Sequence, residues 1–183
     1  IFCGAGRVVQ RIHHEAARLT GLPLPSPAAA SPKTLGGDTN RDATYFAYHI
    51  RRGDFQYKET RLSAQQIWNN TKHLLNSSIT TLIYIATDEK DHKFFAPFMR
   101  PPWKVKFLSD FTDAITSPST TTTTDNTTTS QVVAGTSSST GGVNMNHVGM
   151  IEQVVCANAH TFFGTPRSTF TGYITRMRGK TSL

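Results

Sequence analysis

Three things are scarce in this sequence: cysteines, acidic residues and long apolar runs. Only two cysteines, Cys3 and Cys156, occur among the 183 residues, too few for a disulfide framework or a zinc site. No apolar run is long enough to span a bilayer, and no signal peptide is visible. No cluster of His, Cys or Asp has a ligand spacing either, so we expect no metal site.

Basic residues outnumber acidic ones. The chain contains 19 Lys and Arg against 12 Asp and Glu, a formal net charge of +7. A surplus of this sign favours anionic partners such as nucleotides, nucleic acid, acidic glycans or membrane surfaces, without choosing among them. Apolar residues make up 37% of the chain, which is enough for the core of the single domain that this length predicts.

Residues 117–142 offer almost nothing that a core could bury. The segment reads SPSTTTTTDNTTTSQVVAGTSSSTGG, and this Thr- and Ser-rich composition predicts a disordered insertion in a loop. The chain begins with IFCGAG rather than with Met. We therefore expect it to be a fragment of a longer protein.

Helical and strand-like patterns alternate along the rest of the chain. Ser63, with Gln66 three residues later, has the signature of a capping box, and short apolar runs predict strands buried on both faces. Apolar residues in the remaining segments recur with helical spacing. The predicted order is helix 5–20, loop 22–42, strand 43–50, helix from Ser63, strand 80–86, short helix 89–98, strand 104–109, helix 147–160, strand 161–165 and helix 168–178.

This alternation predicts an α/β fold over residues 1–183. Strands that alternate with helices form a parallel sheet with crossover helices, a Rossmann-like three-layer domain. Ligands of such sheets bind beyond the carboxyl ends of the strands. Candidate binding residues should therefore follow the predicted strands directly.

Two adjacent arginines follow the first predicted strand. Arg51 and Arg52 stand in the stretch YHIRRGDF, with Gly53 after them. Arg keeps its charge and presents a planar fork of donors that fits phosphate oxygens. We interpret the pair as an anion site, the alternative being a salt bridge from either arginine to Asp54. His49 on its own is more often a buried core histidine.

A second candidate anion site lies in FFGTPRSTFTGYI, residues 162–174. Gly164 turns the chain after a predicted strand, and Ser168 and Thr169 begin a helix. Backbone N–H groups at a helix N-terminus bind phosphate, although an ordinary capped helix would have the same pattern. The segment lacks the Walker spacing and its Lys, so it is not a P-loop. Both blocks follow strands of one sheet and together predict a diphosphate site.

Two further acidic residues are candidates, one on a predicted helix and one after another predicted strand. Glu152 lies on an otherwise apolar helix face; it is either solvated or able to accept from the N1–H and N2–H₂ groups of guanine. Thr87 and Asp88 follow the strand in YIATDE.

The blocks HIRRGDFQ, YIATDE and MIEQVVCANAHTFFGTPRSTFTGYI, in this order, resemble the GDP-fucose protein O-fucosyltransferase family, including its plant- and algal-type members. The resemblance covers residues 43–116 and 147–179. It implies the C-terminal, nucleotide-sugar-binding half of a GT-B glycosyltransferase whose N-terminal domain is missing here. It further implies transfer of fucose from GDP-fucose to a hydroxyl of a protein or glycan acceptor, with inversion and without a metal ion or other cofactor.

The resemblance also implies roles for individual residues. His49 and Arg51 would hold the donor, with Arg51 on the diphosphate as the candidate catalytic residue, because fixed donors aimed at the leaving group supply rate. Arg52 and Asp54 of the same block would join the donor site. Glu152 would contact the base, at a position where family members usually have Asp. The start of the last helix would contact the phosphates through Ser168, Thr169 and Phe170.

Two other functions stay open at this stage. The extra methylene of Glu152 leaves room for a rhamnosyltransferase-like relative that uses another nucleotide sugar such as a UDP-sugar. A non-catalytic basic domain that binds nucleic acid or acidic glycan would spread Lys and Arg over one face with interleaved aromatics. We expect no nucleic-acid partner, because no known nucleic-acid motif is present.

The resemblance implies a compartment as well. The family works in the secretory pathway, so we expect the endoplasmic reticulum or Golgi lumen, with any membrane anchor outside this chain. The sequons at Asn69, Asn76 and Asn126 are compatible with glycosylation there. Cys3 and Cys156 could then pair with each other, or one of them with the missing half.

Overall fold

The structure is a computed structural model that describes residues 2–24, 43–53, 56–116 and 148–179. The predicted disordered insertion at 117–142 lies outside the described residues, as does Asp54. The single-domain assignment over residues 1–183 stays a prediction.

Four parallel strands form one sheet, which confirms the predicted α/β class. In chain order they are β1 (Phe46–Ile50), β2 (Leu82–Thr87), β3 (Lys104–Lys106) and β4 (Thr161–Gly164). Their order across the sheet is β3-β2-β1-β4, and each neighbouring pair is parallel. From β1 the chain adds β2 and then β3 on one side, and it then returns to add β4 on the other side of β1. The strand ends between β1 and β4 form a topological switch point, where α/β sheets bind ligands.

Five α-helices accompany the sheet within the described residues: α1 (Phe2–Thr20), α2 (Ala64–Thr71), α3 (Thr112–Thr116), α4 (Val148–Ala157) and α5 (Thr169–Met177). Helix α2 begins with the predicted capping box. The hydroxyl of Ser63 accepts from the N–H of Gln66, and the Gln66 side chain accepts from the N–H of Ser63 at 2.9 Å. The sequence signature therefore marked this helix start correctly.

Two predicted elements differ from the structure. The segment expected as a short helix at 89–98 is a 3-10 helix over His92–Phe98, with Pro97 inside it. The strand expected over 104–109 ends at Lys106 because Leu108 starts another 3-10 helix, followed by α3. The chain here turns away from the sheet after three strand residues, which the apolar pattern did not reveal.

Alternation along the strands fills a core on each face of the sheet. Tyr45 and Ala47 pack towards α1 and α4, whereas Phe46 and Tyr48 pack towards α2 and the 3-10 helix that follows β2. All five residues of β1 are buried, as expected for a central parallel strand. The same two-residue period continues past the strand ends and assigns each following residue to one face.

The end of β4 lies very close to helix α5. A Cβ atom added to Gly164 would overlap the γ-methyl of Thr171 and lie 2.8 Å from its Oγ1. Glycine is therefore required here by close approach of the backbone to a helix. This contact fixes the start of α5 beside the end of β1, because Gly164 pairs with His49 in the sheet register.

Gly164→Ala should destabilise the protein by about 1–3 kcal/mol, the usual cost of forcing extra atoms into a packed site. Adding Thr171→Ser should recover part of that loss, because serine keeps the hydroxyl and lacks the clashing methyl. The measurement is the free energy of unfolding in urea.

Gly172→Ala is the matched control. Nothing lies within 4 Å of a Cβ at that helical position, so alanine should stabilise α5 by about 0.5–1 kcal/mol. Equal stability of the wild type and Gly164→Ala would contradict the close packing.

Candidate functional site

A cleft of about 520 Å³ lies at the carboxyl ends of the strands. Its walls come from the residues after β1 and β2, the loop after β4, and the first turns of α4 and α5. The residues that line it are His49, Arg51, Gln56, Tyr57, Thr87, Asp88, Gly149, Glu152, Arg167, Ser168, Thr169 and Phe170. Six of these are residues that the sequence assigned to a donor site: His49, Arg51, Glu152, Ser168, Thr169 and Phe170. Their binding roles stay predictions.

Asp88 organises the turn that carries the two arginines. Its carboxylate accepts from the backbone N–H of Arg52 at 2.7 Å and of Gly53 at 2.8 Å. It also lies 3.1 Å from a guanidinium nitrogen of Arg51. A Cβ on Gly53 would lie 2.5 Å from the same carboxylate, so a side chain at this position would push Asp88 away. The turn thus presents the Arg51 guanidinium at the cleft in a fixed place.

Arg52 is directed away from this cleft, so its predicted place among the donor-binding residues does not fit the geometry. Its Nε donates to Glu89 at 3.0 Å, and its guanidinium lies 3.9 Å from the centroid of the Phe94 ring. Side chains of neighbouring residues on extended chain point to opposite faces. Arg51 and Asp88 accordingly share one face, and Arg52 and Glu89 share the other. Arg51 pairs with Asp88 and Arg52 with Glu89, whereas Asp54, the partner that the sequence suggested, lies outside the described residues.

His49 lies at the base of the cleft and is almost fully buried, with 6% of its surface exposed. Its Nδ1 lies 2.8 Å from Oγ1 of Thr171, and its ring stacks on Phe170 with centroids 4.4 Å apart. Burial lowers the pKa of His49 to about 4; the negative charge of Asp88 raises it by a smaller amount, and the positive charge of Arg51 lowers it further. The imidazole is therefore neutral at physiological pH and acts as a hydrogen-bonding group.

The start of α5 forms another wall. Ser168 occupies the N-cap position but makes no side-chain capping hydrogen bond, so only the position of the predicted cap is correct. The first N–H groups of a helix have no partner within it, and here they lie at the cleft. Partial positive charge at a helix N-terminus favours anions. This wall therefore suits an anionic ligand.

Glu152 adds a partly protonated acid to the cleft. Burial raises its pKa to about 7, and the negative charge of Asp88 adds to the shift. Near neutral pH the side chain therefore exists both as a carboxylate and as a neutral acid, so a ligand that donates hydrogen bonds can select the ionised form.

Sequence reasoning missed three residues that shape the site. Asp88 was noticed only as a strand-end residue, although its position opposite Arg51 in neighbouring parallel strands pointed to a pair. Tyr57 and Arg167 line the cleft from loops, and nothing in their local sequence marked them.

Cys156 has a free thiol that is buried between α4 and the sheet. Burial raises its pKa well above the ordinary value. Cys156 is thus not bonded to Cys3 in this structure, and the side chain of Cys3 lies outside the described part. A disulfide between either cysteine and the missing half stays a prediction.

The described helices include none that is both long and apolar enough to cross a membrane. In the same part of the chain, no three His, Cys, Asp or Glu side chains are grouped to hold a metal ion.

Comparison with solved structures finds a likeness to a crystal structure of POFUT1 in complex with GDP. The two chains are 12% identical, with a TM-score of 0.42, over 94% of this chain and 45% of that one. This chain therefore spans less than half the length of that protein. No protein-family model and no curated protein matches the chain. A likeness at this level does not show a shared family or architecture, so membership of the O-fucosyltransferase family and the GT-B assignment stay predictions.

Glu152→Gln should remove a component of the pH dependence of stability. The folded protein keeps this carboxyl protonated up to about pH 7, whereas the unfolded chain ionises it near 4.5. Between these values the unfolded state binds fewer protons, so this group makes the free energy of unfolding fall as pH rises, by at most about 1.4 kcal/mol per pH unit. Above pH 7 its contribution is constant.

His49 acts in the opposite direction, since its pKa falls from 6.5 to about 4 on folding. Its favourable contribution to the free energy of unfolding is absent below about pH 4 and grows as pH rises to 6.5. Urea unfolding from about pH 5 to about pH 8 should therefore be compared between the wild type and Glu152→Gln, because the His49 contribution cancels in the difference. If the difference in the free energy of unfolding between the two proteins does not vary with pH, the pKa of Glu152 is not shifted by folding.

Proposed function

We propose that this chain is the donor-binding half of a glycosyltransferase that transfers fucose from GDP-fucose to a hydroxyl of a protein or glycan. One observation carries the proposal. The cleft at the topological switch point is lined both by the Arg51 guanidinium and by the N-terminus of α5. Arginine forks and helix N-termini are the two protein features best suited to phosphate oxygens.

The chemistry of transfer makes use of both. The acceptor oxygen bonds to C1 of the sugar as the bond from C1 to the diphosphate oxygen breaks, and GDP leaves with the bonding electron pair. The proton of the acceptor hydroxyl passes to a base or to solvent. Negative charge grows on the diphosphate during this step, so donors fixed beside it lower the barrier. Arg51 and the N–H groups of Thr169 and Phe170 would be those donors.

The two titrating groups of the cleft would divide the remaining tasks. His49 stays neutral, so it would exchange a hydrogen bond with the donor without adding charge. Glu152 as a carboxylate would accept from the two neighbouring donors of guanine, N1–H and N2–H₂. Uracil offers only one donor, N3–H, on the corresponding edge, so an ionised Glu152 favours GDP over UDP.

The secretory pathway remains part of the proposal. Its support is the resemblance of the sequence blocks, together with the exposed side chains of the sequons at Asn69 and Asn76. The third sequon, Asn126, lies outside the described residues.

Nucleotide titration by calorimetry tests the base assignment. GDP should bind more tightly than UDP, and its advantage should grow as pH rises through 7, because the ionised form of Glu152 is the one that accepts from guanine. In Glu152→Gln the pH dependence of the GDP advantage should disappear. Tighter binding of UDP would favour the UDP-sugar reading, and binding of neither would overturn the donor-site proposal.

Arg51→Ala should lower kcat for fucosyl transfer by on the order of a hundred- to a thousandfold, the usual cost of losing one preorganised donor. GDP binding should weaken by a smaller factor, since the charge on the diphosphate is greatest in the transition state. Arg51→Lys should restore little, because it returns the charge without the planar fork. The assays are steady-state transfer by the protein that contains this chain and calorimetric binding of GDP.

Arg52→Ala is the matched control, since it removes the neighbouring arginine from the other face of the sheet. It should change kcat much less than Arg51→Ala and lower stability instead, through loss of its contacts with Glu89 and Phe94. Equal loss of kcat in both variants would show that the pair acts through folding and not through the cleft.

A further inference from the structure

A second arginine lines the cleft from a different loop. Arg167 lies in the loop between β4 and α5, directly before Ser168, and lines the cleft. Its φ is +60°, and among the described residues other than glycine it is the one with a positive φ. A residue with a Cβ atom is strained in this left-handed conformation, and strain of this kind concentrates at functional sites.

The present partners of Arg167 hold it weakly. A guanidinium nitrogen donates to Glu59 at 3.0 Å, but the side chains are 62% and 61% exposed. An ion pair as exposed as this one contributes little to stability. The guanidinium also lies 5.4 Å from the centroid of the Tyr57 ring, another residue that lines the cleft. Arg167 thus connects the loop before α5 to the 56–59 segment through contacts that an anion can displace.

Without Arg167, the cleft would have little net positive charge to offset the negative charge of a diphosphate. Among the described residues that line it, the permanently cationic side chains are Arg51 and Arg167. Arg51 is paired with Asp88 at 3.1 Å, and Glu152 adds further negative charge when it ionises. A diphosphate that met Arg51, Asp88 and the partial charge of a helix terminus alone would remain largely uncompensated. Arg167 is the cation that can correct this balance.

We propose that Arg167 is a second donor-binding residue, which exchanges Glu59 for the diphosphate of the bound nucleotide. This inference rests on the proposed donor site. In the structure the arginine contacts Glu59 and the ring of Tyr57. When the diphosphate occupies the N-terminus of α5, the guanidinium turns to it, since one backbone step separates Arg167 from Ser168. The ligand is then held between two arginines, and Tyr57 remains beside it on the cleft wall.

Arg167→Asn is the most direct test, because asparagine tolerates the left-handed conformation and lacks the guanidinium. Calorimetry should show GDP affinity lower by about tenfold or more, as expected for loss of a charged hydrogen bond to phosphate. Inorganic pyrophosphate should lose affinity by a similar factor, because it contains only the part of the ligand that Arg167 contacts. Arg167→Lys should recover part of the loss through its charge.

Arg11→Asn is the matched control. Arg11 forms an exposed ion pair with Asp113 at 2.7 Å, with side chains 57% and 58% exposed, and it does not line the cleft. The variant removes the same charge from a similar pair, so GDP affinity should change by less than about twofold, given how little distant exposed charges contribute in salt. Equal weakening in both arginine variants would mean that only net charge matters and would overturn the proposal.

Glu59→Gln tests the exchange itself. Removing the competing carboxylate should tighten GDP binding by about two- to threefold, and the gain should vanish when Arg167 is already asparagine. Additive effects in this double-mutant cycle would overturn the exchange. If the wild type and Arg167→Asn bind GDP equally well, this inference is wrong, although the proposed donor site is not affected. Failure of the wild type to bind GDP or UDP refutes both.

Discussion

The candidate site depends on the contacts that the Asp88 carboxylate makes with the turn after β1. This carboxylate accepts two consecutive backbone N–H groups, those of Arg52 and Gly53, and pairs with Arg51. The end of one parallel strand is thereby tied to the turn after its neighbour. An arginine fork is useful for catalysis only when its direction is fixed before the ligand arrives, because reorganisation during the reaction would cost free energy. Asp88 supplies that fixed direction, and the absence of a Cβ atom at Gly53 leaves room for it.

Local patterns in the sequence predicted most of the fold, because they reflect local physics. The capping box of α2, the buried strands and the turn at Gly164 all depend on residues close together in the chain. The alternation of faces could also have separated Arg51 from Arg52, and paired Arg51 with Asp88 and Arg52 with Glu89, had it been extended past the strand ends. These pairs follow from the parallel register of β1 and β2 alone.

Other parts of the site depend on contacts that no local pattern contains. Arg167 and Glu59 are 108 residues apart in the chain, and their loops meet only because β4 returns to the side of β1 opposite β2. The length of β3 and the position of α3 were likewise set by packing. The shifted pKa values of His49 and Glu152 arise from burial, which depends on how α4 and α5 cover the sheet. Residue type gave no indication of either shift.

A crystal structure of the protein with GDP would show whether Arg51 and the start of α5 hold the diphosphate. Diphosphate oxygens should lie about 2.7–3.2 Å from the Arg51 guanidinium and from the N–H groups of Thr169 and Phe170. The guanine edge should contact the Glu152 carboxylate. A diphosphate bound away from both Arg51 and the N-terminus of α5 would contradict the account, whatever the position of the base.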